Sequence, residues 1–416
     1  MPERKQNLNV GVIGGGIAGL TAAISLRKFG HEVTIYERYH YAGEVGASLS
    51  CASNGGRLLK ELGIPLLETK PVILRKLIKR RFHNGEISGV YDLGDYEESF
   101  GVPYYNLHRI DIHDLLLKYA LDDDGEGIPC KLLVDHKALT VDAESGTVTF
   151  ENGHKATHDL IVAADGIRSL TREQIGNPPD FEPSTSCCFR CLFDTKEVVA
   201  KGLTDFSKNE AIEYWWRGIP GSSGIDKIVM SPCKSGEVVS CYCFYPAVKN
   251  DLRMGGWNDE ASVEELCGTF PDLDPKVLDL FKIAYDIKQW RLYVHQPYEH
   301  WQKGKVVMMG DAIHPMMPDQ SLGAVTAIED AFAIGYIFSD RFRFSVQDGL
   351  KLYENVRKPR ATRIQAASLR ARENLNERIG WSSKDSDRPD KLTITEICGY
   401  DIKADIEEQA TKMGIL

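Results

Sequence analysis

The sequence has no surplus of basic residues. Its 416 residues include 50 lysines and arginines against 60 aspartates and glutamates, which gives a formal net charge of -10 at pH 7. Proteins that bind phosphate backbones carry concentrated basic surfaces. An acidic chain without a basic block is therefore a poor candidate for a nucleic-acid-binding protein, and we expect no nucleic-acid partner.

Long apolar runs are also missing. The uncharged stretch from Val10 to Leu26 is shorter than the roughly 20 apolar residues of a spanning helix, and glycines interrupt it. Behind Arg4 and Lys5 it could imitate a signal peptide, but no convincing cleavage site follows. A buried strand and helix explain the glycine spacing better, so we expect no membrane span and a cytoplasmic location.

The ten cysteines do not have the spacing of a metal site. Cys188 and Cys191 are spaced like zinc ligands, but Cys241 and Cys243 are separated by one residue instead of two. Both groups lie in strand-like apolar runs, where free cysteine is typically a small core residue. In a chain of this length without a secretory signal, we expect reduced thiols and no metal.

The composition is that of a globular protein, since 43% of the residues are hydrophobic and 26% are charged. This balance excludes an intrinsically disordered chain. At ~150 residues per domain, the length corresponds to about 2.8 domain units.

The N-terminal segment carries the clearest motif. A short apolar strand precedes GGGIAG at residues 14–19, and a helix-like segment follows as far as Phe29. In such a unit Gly14 permits a tight turn, Gly16 lets backbone amides approach a pyrophosphate, and Gly19 allows close helix–strand contact. The positive end of the helix favours a bound anion.

The second strand of this unit ends at an acidic residue. Glu37 follows Gly14 at the distance of about 20 residues where an acid reaches a ribose hydroxyl. An acid there argues for an adenosine ribose without a 2′-phosphate, and so for FAD or NAD instead of NADP. The fingerprint by itself does not separate FAD from NAD, and glycines in a plain turn are the alternative.

Two further motifs follow along the chain. A short apolar strand ends at Asp165-Gly166, and much later residues 305–309 run into Gly310-Asp311. In this order, the three motifs resemble those of the single-component FAD-dependent aromatic hydroxylases, fungal type, the group that contains salicylate hydroxylase and para-hydroxybenzoate hydroxylase.

The resemblance implies an α/β fold with a Rossmann-like FAD-binding domain, a mixed β-sheet substrate domain and C-terminal helices. We expect the FAD-binding domain at residues 1–180 and 286–345, the substrate domain at 181–285 and the helical region at 346–416. Four β-like runs between residues 187 and 246, separated by glycine and serine, favour such a sheet on pattern alone. By analogy with the family, the C-terminal helices could pair subunits into a homodimer.

The resemblance also implies cofactor contacts. It implies that the three glycines of the fingerprint contact the pyrophosphate. Glu37 is expected to contact the adenosine ribose, and Asp311 a ribitol hydroxyl. The other implied contacts are Arg38, Ala47, Arg109, Asp165, Gly323 and Ala324. From the residues alone, Arg109 could be a surface helix arginine, Asp165-Gly166 a plain turn, and Asp311 a helix N-cap.

Arg190 is the candidate catalytic and substrate-binding cation, because it stands alone in an apolar strand. A buried arginine needs a partner, and the resemblance implies that this one faces the substrate and stabilises a carboxylate or phenolate. The alternative is an edge-strand arginine that reaches solvent. The other candidate pocket residues are Tyr214, Trp216, Tyr242, Phe244 and Pro318, although each aromatic side chain could equally be core.

The implied activity is hydroxylation of a phenolic or hydroxybenzoate-like ring, with FAD, O2 and NADH or NADPH, through a flavin hydroperoxide. Decarboxylation could accompany it. A second glycine fingerprint is absent, which suits a transient nicotinamide site. The alternatives are epoxidation of an indole or alkene, and an FAD-binding protein without catalysis. The last is motivated by Ser321-Leu322, which replace the Gly-Gln of many relatives.

Overall fold

The computed structural model describes residues 7–40, 46–178, 182–201, 210–216, 224–249, 259–342, 344–374, 377 and 391–415. The strands in these ranges are β1 Asn9–Ile13, β2 Glu32–Tyr36, β3 Ser48–Cys51, β4 Val72–Ile73, β5 Lys76–Arg81, β6 Ile87–Asp92, β7 Tyr105–His108, β8 Lys131–Leu133, β9 Ala138–Asp142, β10 Thr147–Phe150, β11 Lys155–Thr157, β12 Leu160–Ala163, β13 Glu182–Asp194, β14 Glu210–Trp216, β15 Asp226–Cys233, β16 Val238–Pro246, β17 Asp259–Glu260, β18 Tyr285–Val294, β19 Gln302–Lys303 and β20 Val306–Met308.

The α-helices are α1 Ile17–Lys28, α2 Ser53–Glu61, α3 Tyr96–Phe100, α4 Arg109–Leu121, α5 Thr171–Gln174, α6 Thr195–Ala200, α7 Val263–Thr269, α8 Pro275–Phe281, α9 Gly323–Ile337, α10 Val346–Glu373, α11 Ile394–Cys398 and α12 Ile402–Lys412. Within the described ranges, no helix combines the length and the apolar character needed to cross a membrane.

The first sheet has the strand order β19-β20-β12-β1-β2-β8, and all its pairs are parallel except β19 with β20. Its central strands β1 and β12 are almost fully buried, as parallel strands covered by helices are. Helix α1 packs on α9, and they approach so closely that a Cβ on Gly335 would lie 2.1 Å from the Ser25 hydroxyl oxygen. This sheet is the Rossmann-like part of the expected α/β fold.

The second sheet has eight strands in the order β17-β18-β13-β16-β15-β14-β5-β6. It is mixed, because β5 and β14 pair in parallel while the other pairs are antiparallel. One side, which we call the outer face, packs against Leu266 and Phe270 of α7 and its continuation and against Phe281 of α8. The opposite side, the inner face, packs against Met317 and against Leu369, which lies on α10.

The expected domain limits do not follow this second sheet. Strands β5 and β6, at residues 76–92, were assigned to the FAD-binding domain but pair with β14. Strand β18 extends to Val294, beyond the expected limit at residue 285. Long-range strand pairing crosses both limits, so the expected division of the chain must be corrected at residues 76–92 and 286–294.

Helix α10 connects the two sheets. Its first half carries Arg357, which donates to Asp330 at 2.8 Å and to Glu329 at 2.7 Å on α9. Arg360 donates to both oxygens of Glu329, each at 2.8 Å. The last turns of α10 lie instead against the inner face of the second sheet. The buried ion pairs therefore fix a helix that contributes to both layers.

Candidate active site

The sequence motifs end neighbouring strands of the first sheet. Gly14 follows β1, Glu37 follows β2, Asp165 follows β12 and Asp311 follows β20. These four strands are parallel neighbours, so their carboxyl ends meet at one edge of the sheet. Ligands of open α/β sheets bind outside such an edge. The structure thus brings the separated motifs to a common edge.

The glycine turn has the shape of a phosphate cradle. Gly14 has φ 107°, and a Cβ there would lie 2.4 Å from the Ala164 carbonyl oxygen. A Cβ on Gly19 would lie 2.0 Å from the Gly14 carbonyl oxygen, whereas a Cβ on Gly16 would meet no described atom within 4 Å. Gly16 caps α1 without a side-chain hydrogen bond. Open space therefore lies before the helix N-terminus, which fits a dinucleotide pyrophosphate.

Glu37 is held by backbone groups on both sides. Its carboxylate accepts hydrogen bonds from the amides of Gly15 at 2.8 Å and Tyr39 at 2.9 Å. The side chain is buried beside the glycine turn. Arg38, by contrast, is exposed, with its guanidinium 4.9 Å from the centre of the Tyr39 ring. Glu37 therefore has the fixed orientation that recognition of a ribose requires.

Arg109 begins α4, and its amide donates to the carbonyl of Ala47 at 2.8 Å. His113, one turn further along α4, hydrogen-bonds through Nε2 to the Gly15 carbonyl at 2.8 Å. The positive charge of Arg109 also acts on Tyr242 in the second sheet. Helix α4 thus contacts the glycine turn through His113 and Ala47 through the Arg109 amide.

Asp165 stabilises its own turn. Its carboxylate accepts bonds from the Ser169 hydroxyl at 2.7 Å and from the Thr171 hydroxyl at 3.1 Å. Arg172, just beyond, donates to the carbonyl of Ala312 at 3.2 Å. The structural role that we left open for Asp165-Gly166 is therefore present, and the turn also links the second motif to the third.

Asp311 lies exposed in a short 3-10 turn at residues 310–312. Before it, Gly310 has φ 58°, and a Cβ there would lie 3.0 Å from that of Ala18 on α1. Helix α9 then begins at Gly323 and Ala324, with no acidic residue in its first turn. Its positive end is thus available to an anion near the strand edge.

The altered loop before α9 keeps a glycine-like backbone. Ser321 has φ 56° and ψ 31°, in the left-handed region that glycine adopts without strain. Its amide closes the turn by donating to the Pro318 carbonyl at 2.9 Å. Ser321 therefore replaces the glycine of many relatives but adopts a left-handed backbone conformation. That conformation costs a non-glycine residue roughly 1–2 kcal/mol.

Replacing Ser321→Gly is expected to raise the free energy of unfolding by about 1 kcal/mol, because it removes left-handed strain from a turn that stays the same. Denaturant unfolding of the two proteins measures the change. Ser321→Ala is the matched control, since alanine keeps the Cβ and should give no gain. Equal stability of the glycine and alanine variants would contradict the explanation.

Arg190 is buried on a central strand, not on an edge strand. It is 2% exposed, and β13 pairs with both β16 and β18. Its guanidinium donates to Asp286 at 2.8 Å and to the carbonyl of Gly46. The alternative of a solvent-reaching edge arginine is therefore wrong. Asp286 already balances its charge, which the sequence did not indicate.

The alternation of β13–β16 divides the candidate pocket aromatics between the two faces. Tyr242 and Phe244 pack on the inner face with Met317, which precedes Pro318. Tyr214 and Trp216 pack in the outer-face cluster, where the Trp216 ring stacks on Phe82 at a centroid distance of 5.9 Å. Tyr214 and Trp216 therefore lie on the opposite face of the sheet from Tyr242 and Phe244, so a pocket on one face does not include all four predicted residues.

A buried cluster on the inner face was missed. Lys227 on β15 pairs with Asp319, and Arg372 at the end of α10 approaches the same carboxylate with 3.6 Å between Nη1 and Oδ1. The Lys227 Nζ atom lies 4.8 Å and the Arg372 Cζ atom 5.2 Å from the centre of the Phe244 ring. Lys227 follows Asp226 at the start of β15, so the sequence shows an adjacent pair of opposite charges and not the isolated charge that identified Arg190.

Comparison with known proteins decides the family. The sequence profile of the family described as FAD binding domain matches residues 7–368. The chain belongs to the FAD-dependent aromatic hydroxylase family. It is an FAD-dependent monooxygenase, and the open cradle at Gly16 and the fixed carboxylate of Glu37 fit that cofactor.

Relatives of this flavoprotein cover nearly its full length. Hispidin-3-hydroxylase of Neonothopanus nambi is 29% identical over 418 residues, covering 98% of this chain and 97% of that protein. The 6-hydroxynicotinate 3-monooxygenase of Pseudomonas fluorescens is 28% identical over 370 residues, covering 87% and 91%. Among solved structures, the tetrameric form of 2-methyl-3-hydroxypyridine-5-carboxylic acid oxygenase has a TM-score of 0.74 at 25% identity, covering 96% and 98%.

Proposed function

We propose that this flavoprotein uses NADH or NADPH to hydroxylate an acidic aromatic substrate, with the ring on the inner face and its anionic group at Lys227 and Arg372. The observation that carries the proposal is the pairing of two buried cations with the same carboxylate, Asp319, beside the Phe244 ring. The Arg372 Nη1 atom is buried and has no hydrogen-bond partner among the described residues. Buried polar groups are normally hydrogen-bonded, and an anionic group of the substrate would supply that partner.

The names of relatives agree with such a substrate. They include 6-hydroxynicotinate and 3-amino-4-hydroxybenzoate, which are hydroxylated or aminated ring acids. The inner-face cluster of Cys188, Phe244, Leu292 and Met317 is apolar and excludes water from a ring packed there. The predicted contacts Tyr242, Pro318 and Arg190 adjoin this cluster and remain part of the proposal.

Bound FAD would supply the electron transfer and the oxygen activation that the side chains cannot provide. The glycine turn, Glu37 and Asp311 would hold it at the strand edge. Burial raises the pKa of Tyr242 to about 12, and its hydroxyl donates to the Ser48 carbonyl at 3.2 Å. Tyr242 therefore stays protonated at neutral pH, where it orients a ring by contact and does not act as a base.

Substrate-stimulated oxidation of NADH and NADPH tests the reaction. We expect some members of a panel of hydroxybenzoates, hydroxynicotinates and uncharged phenols to accelerate it and to gain the mass of one oxygen atom. Loss of carbon dioxide from the product would show decarboxylating hydroxylation. If no member of the panel accelerates oxidation of either nucleotide, the proposed substrate class is wrong.

Replacing Lys227→Met is expected to raise KM for a responding acid by about 10–100-fold, which is the loss of one charged hydrogen bond of ~1.5–3 kcal/mol. KM for an uncharged phenol should change much less. Removing one partner of this buried pair should also destabilise the fold by about 3–5 kcal/mol, so KM is measured on variant protein that retains FAD absorbance. Lys288→Met is the control, since this lysine pairs with the exposed Glu260 elsewhere on the sheet. Equal changes for the acid and the phenol would contradict anion recognition.

A further inference from the structure

Three thiols meet on the outer face of the second sheet. The sulfur atoms of Cys191, Cys241 and Cys243 all lie within 4.8 Å of one another, and those of Cys241 and Cys243 are 3.4 Å apart. All three side chains are fully buried. The register places Cys191 opposite Cys241, while Cys188 packs on the inner face. The cluster is therefore built by strand pairing, and not by the Cys188–Cys191 spacing that the sequence presents.

We propose that Cys191, Cys241 and Cys243 form a three-thiolate site for a thiophilic metal ion of the Zn2+ and Cu+ class. With metal–sulfur bonds of ~2.3 Å, three sulfurs arranged around one ion lie roughly 4 Å from one another. The three sulfurs lie within 4.8 Å of one another, and the 3.4 Å Cys241–Cys243 edge would have to open by roughly 0.6 Å. Thiolates select this class of ion over Mg2+ or Ca2+.

Metal binding at this site would be coupled to the loss of the thiol protons. Three thiols that bind one Zn2+ ion release three protons, which leaves one net negative charge on the three-sulfur site.

A disulfide fits the geometry less well. The closest sulfurs belong to residues two apart on the same strand, whose Cα atoms are ~6.8 Å apart in extended chain. This is the upper limit of disulfide spans. Cys191 and Cys241 face each other across the strands, so an oxidant such as hydrogen peroxide could join them, with two thiols oxidised and the peroxide reduced to water. That bond would remove two ligands and is the competing outcome.

The partly exposed Cys267 gives the site a neighbour near the surface. It lies on α7 and packs against the same outer-face cluster of the second sheet. Zn2+ in structural sites takes four ligands. Cys267 is our candidate for a fourth ligand because it packs in the same outer-face cluster, and a metal so held would link α7 to β13 and β16.

Titration of the reduced holoenzyme with Cd2+ tests the proposal, because cadmium bound to thiolates gives an ultraviolet charge-transfer band. We expect one equivalent to bind with this band, and Zn2+ to displace it and to raise the Tm. Cys191→Ala and Cys241→Ala should each weaken binding by at least about 100-fold. Retained FAD absorbance shows that these variants are folded.

Cys130→Ala is the matched control, because Cys130 is buried elsewhere, beside α1. It should keep the single equivalent and the band. The proposal is wrong if the wild type shows no band, or if both cluster variants bind cadmium as the wild type does. It is also wrong if peptide mapping of the aerobically purified protein finds Cys191 joined to Cys241 by a disulfide. None of these readouts depends on turnover, so they are independent of the proposed substrate.

Discussion

Arg357→Met is expected to destabilise the protein by about 3–5 kcal/mol, because removing one partner of a buried ion pair leaves uncompensated charge. Arg357 is fully buried and bonds Asp330 at 2.8 Å and Glu329 at 2.7 Å. Arg360 still reaches Glu329, and His314 still reaches Asp330 at 2.5 Å. In the variant, the buried carboxylates of Glu329 and Asp330 would nevertheless have one neighbouring positive charge fewer at the junction of α9 and α10.

Denaturant unfolding of the holoenzyme measures this loss, and Arg363→Met is its control on the same helix. Arg363 pairs with Glu396 at 3.3 Å, and both side chains are about half exposed. An exposed pair contributes less than about 1 kcal/mol. A similar loss of stability in both variants would show that burial of the Arg357 pairs is not the cause.

The pH dependence of unfolding gives a second readout. Burial alone would raise the pKa of Glu329, but Arg360 and Arg357 lower it to about 2. Burial would likewise raise the pKa of Asp330, but His314 and Arg357 lower it to about 2. Because carboxyl pKa values are about 4 in unfolded chains, these groups stabilise the fold above that pH and stop doing so as pH falls toward 2. Arg357→Met should lose stability less steeply in this window.

Gly16→Ala and Gly19→Ala are expected to separate cofactor binding from folding. A Cβ on Gly19 would lie 2.0 Å from the Gly14 carbonyl oxygen, so the glycine turn must move. We expect Gly19→Ala to destabilise the apoprotein by about 1–3 kcal/mol and to lose FAD. Gly16 has φ -80°, which alanine also adopts, and its Cβ would meet no described atom within 4 Å.

Gly16→Ala should therefore leave the unfolding of the apoprotein unchanged within about 0.5 kcal/mol. Its methyl group would occupy the space that a pyrophosphate needs, so FAD affinity should fall by about 100-fold or more. Fluorescence titration of the apoprotein with FAD measures the affinity. Gly268→Ala, in open space on α7, is the control that should keep FAD affinity and gain at most the ~0.5–1 kcal/mol that alanine brings to a helix. Wild-type affinity in Gly16→Ala would place the pyrophosphate elsewhere.

Local pattern was sufficient to predict the cofactor-binding unit. The strand, glycine turn, helix and terminal acid are consecutive, and glycine spacing has a direct steric meaning there. The predicted helix from residue 17 to 29 is α1, Ile17–Lys28, and the short apolar strand predicted before Asp165-Gly166 is β12, Leu160–Ala163. The four β-like runs between residues 187 and 246 correspond to β13–β16 within a few residues.

Side-chain direction in the second sheet required the tertiary structure. The alternation of side chains shows that Tyr242 and Phe244 lie on the same face of the sheet. It does not show whether that face is covered by α7 and α8 or by the segment that contains Met317. The same ambiguity led us to group Tyr214 with Tyr242. It also hid the fact that Cys191 faces away from Cys188 and toward Cys241.

The sequence by itself determined the fold class, and the order of three motifs along the chain indicated the family and its FAD cofactor, because each motif consists of residues that are adjacent or nearly adjacent in the sequence. Only the tertiary structure joined β5 and β6 to the second sheet and placed Lys227, Asp319 and Arg372 together. These contacts link residues far apart in the chain. Strand register and helix docking, which no local periodicity encodes, decide which of them meet.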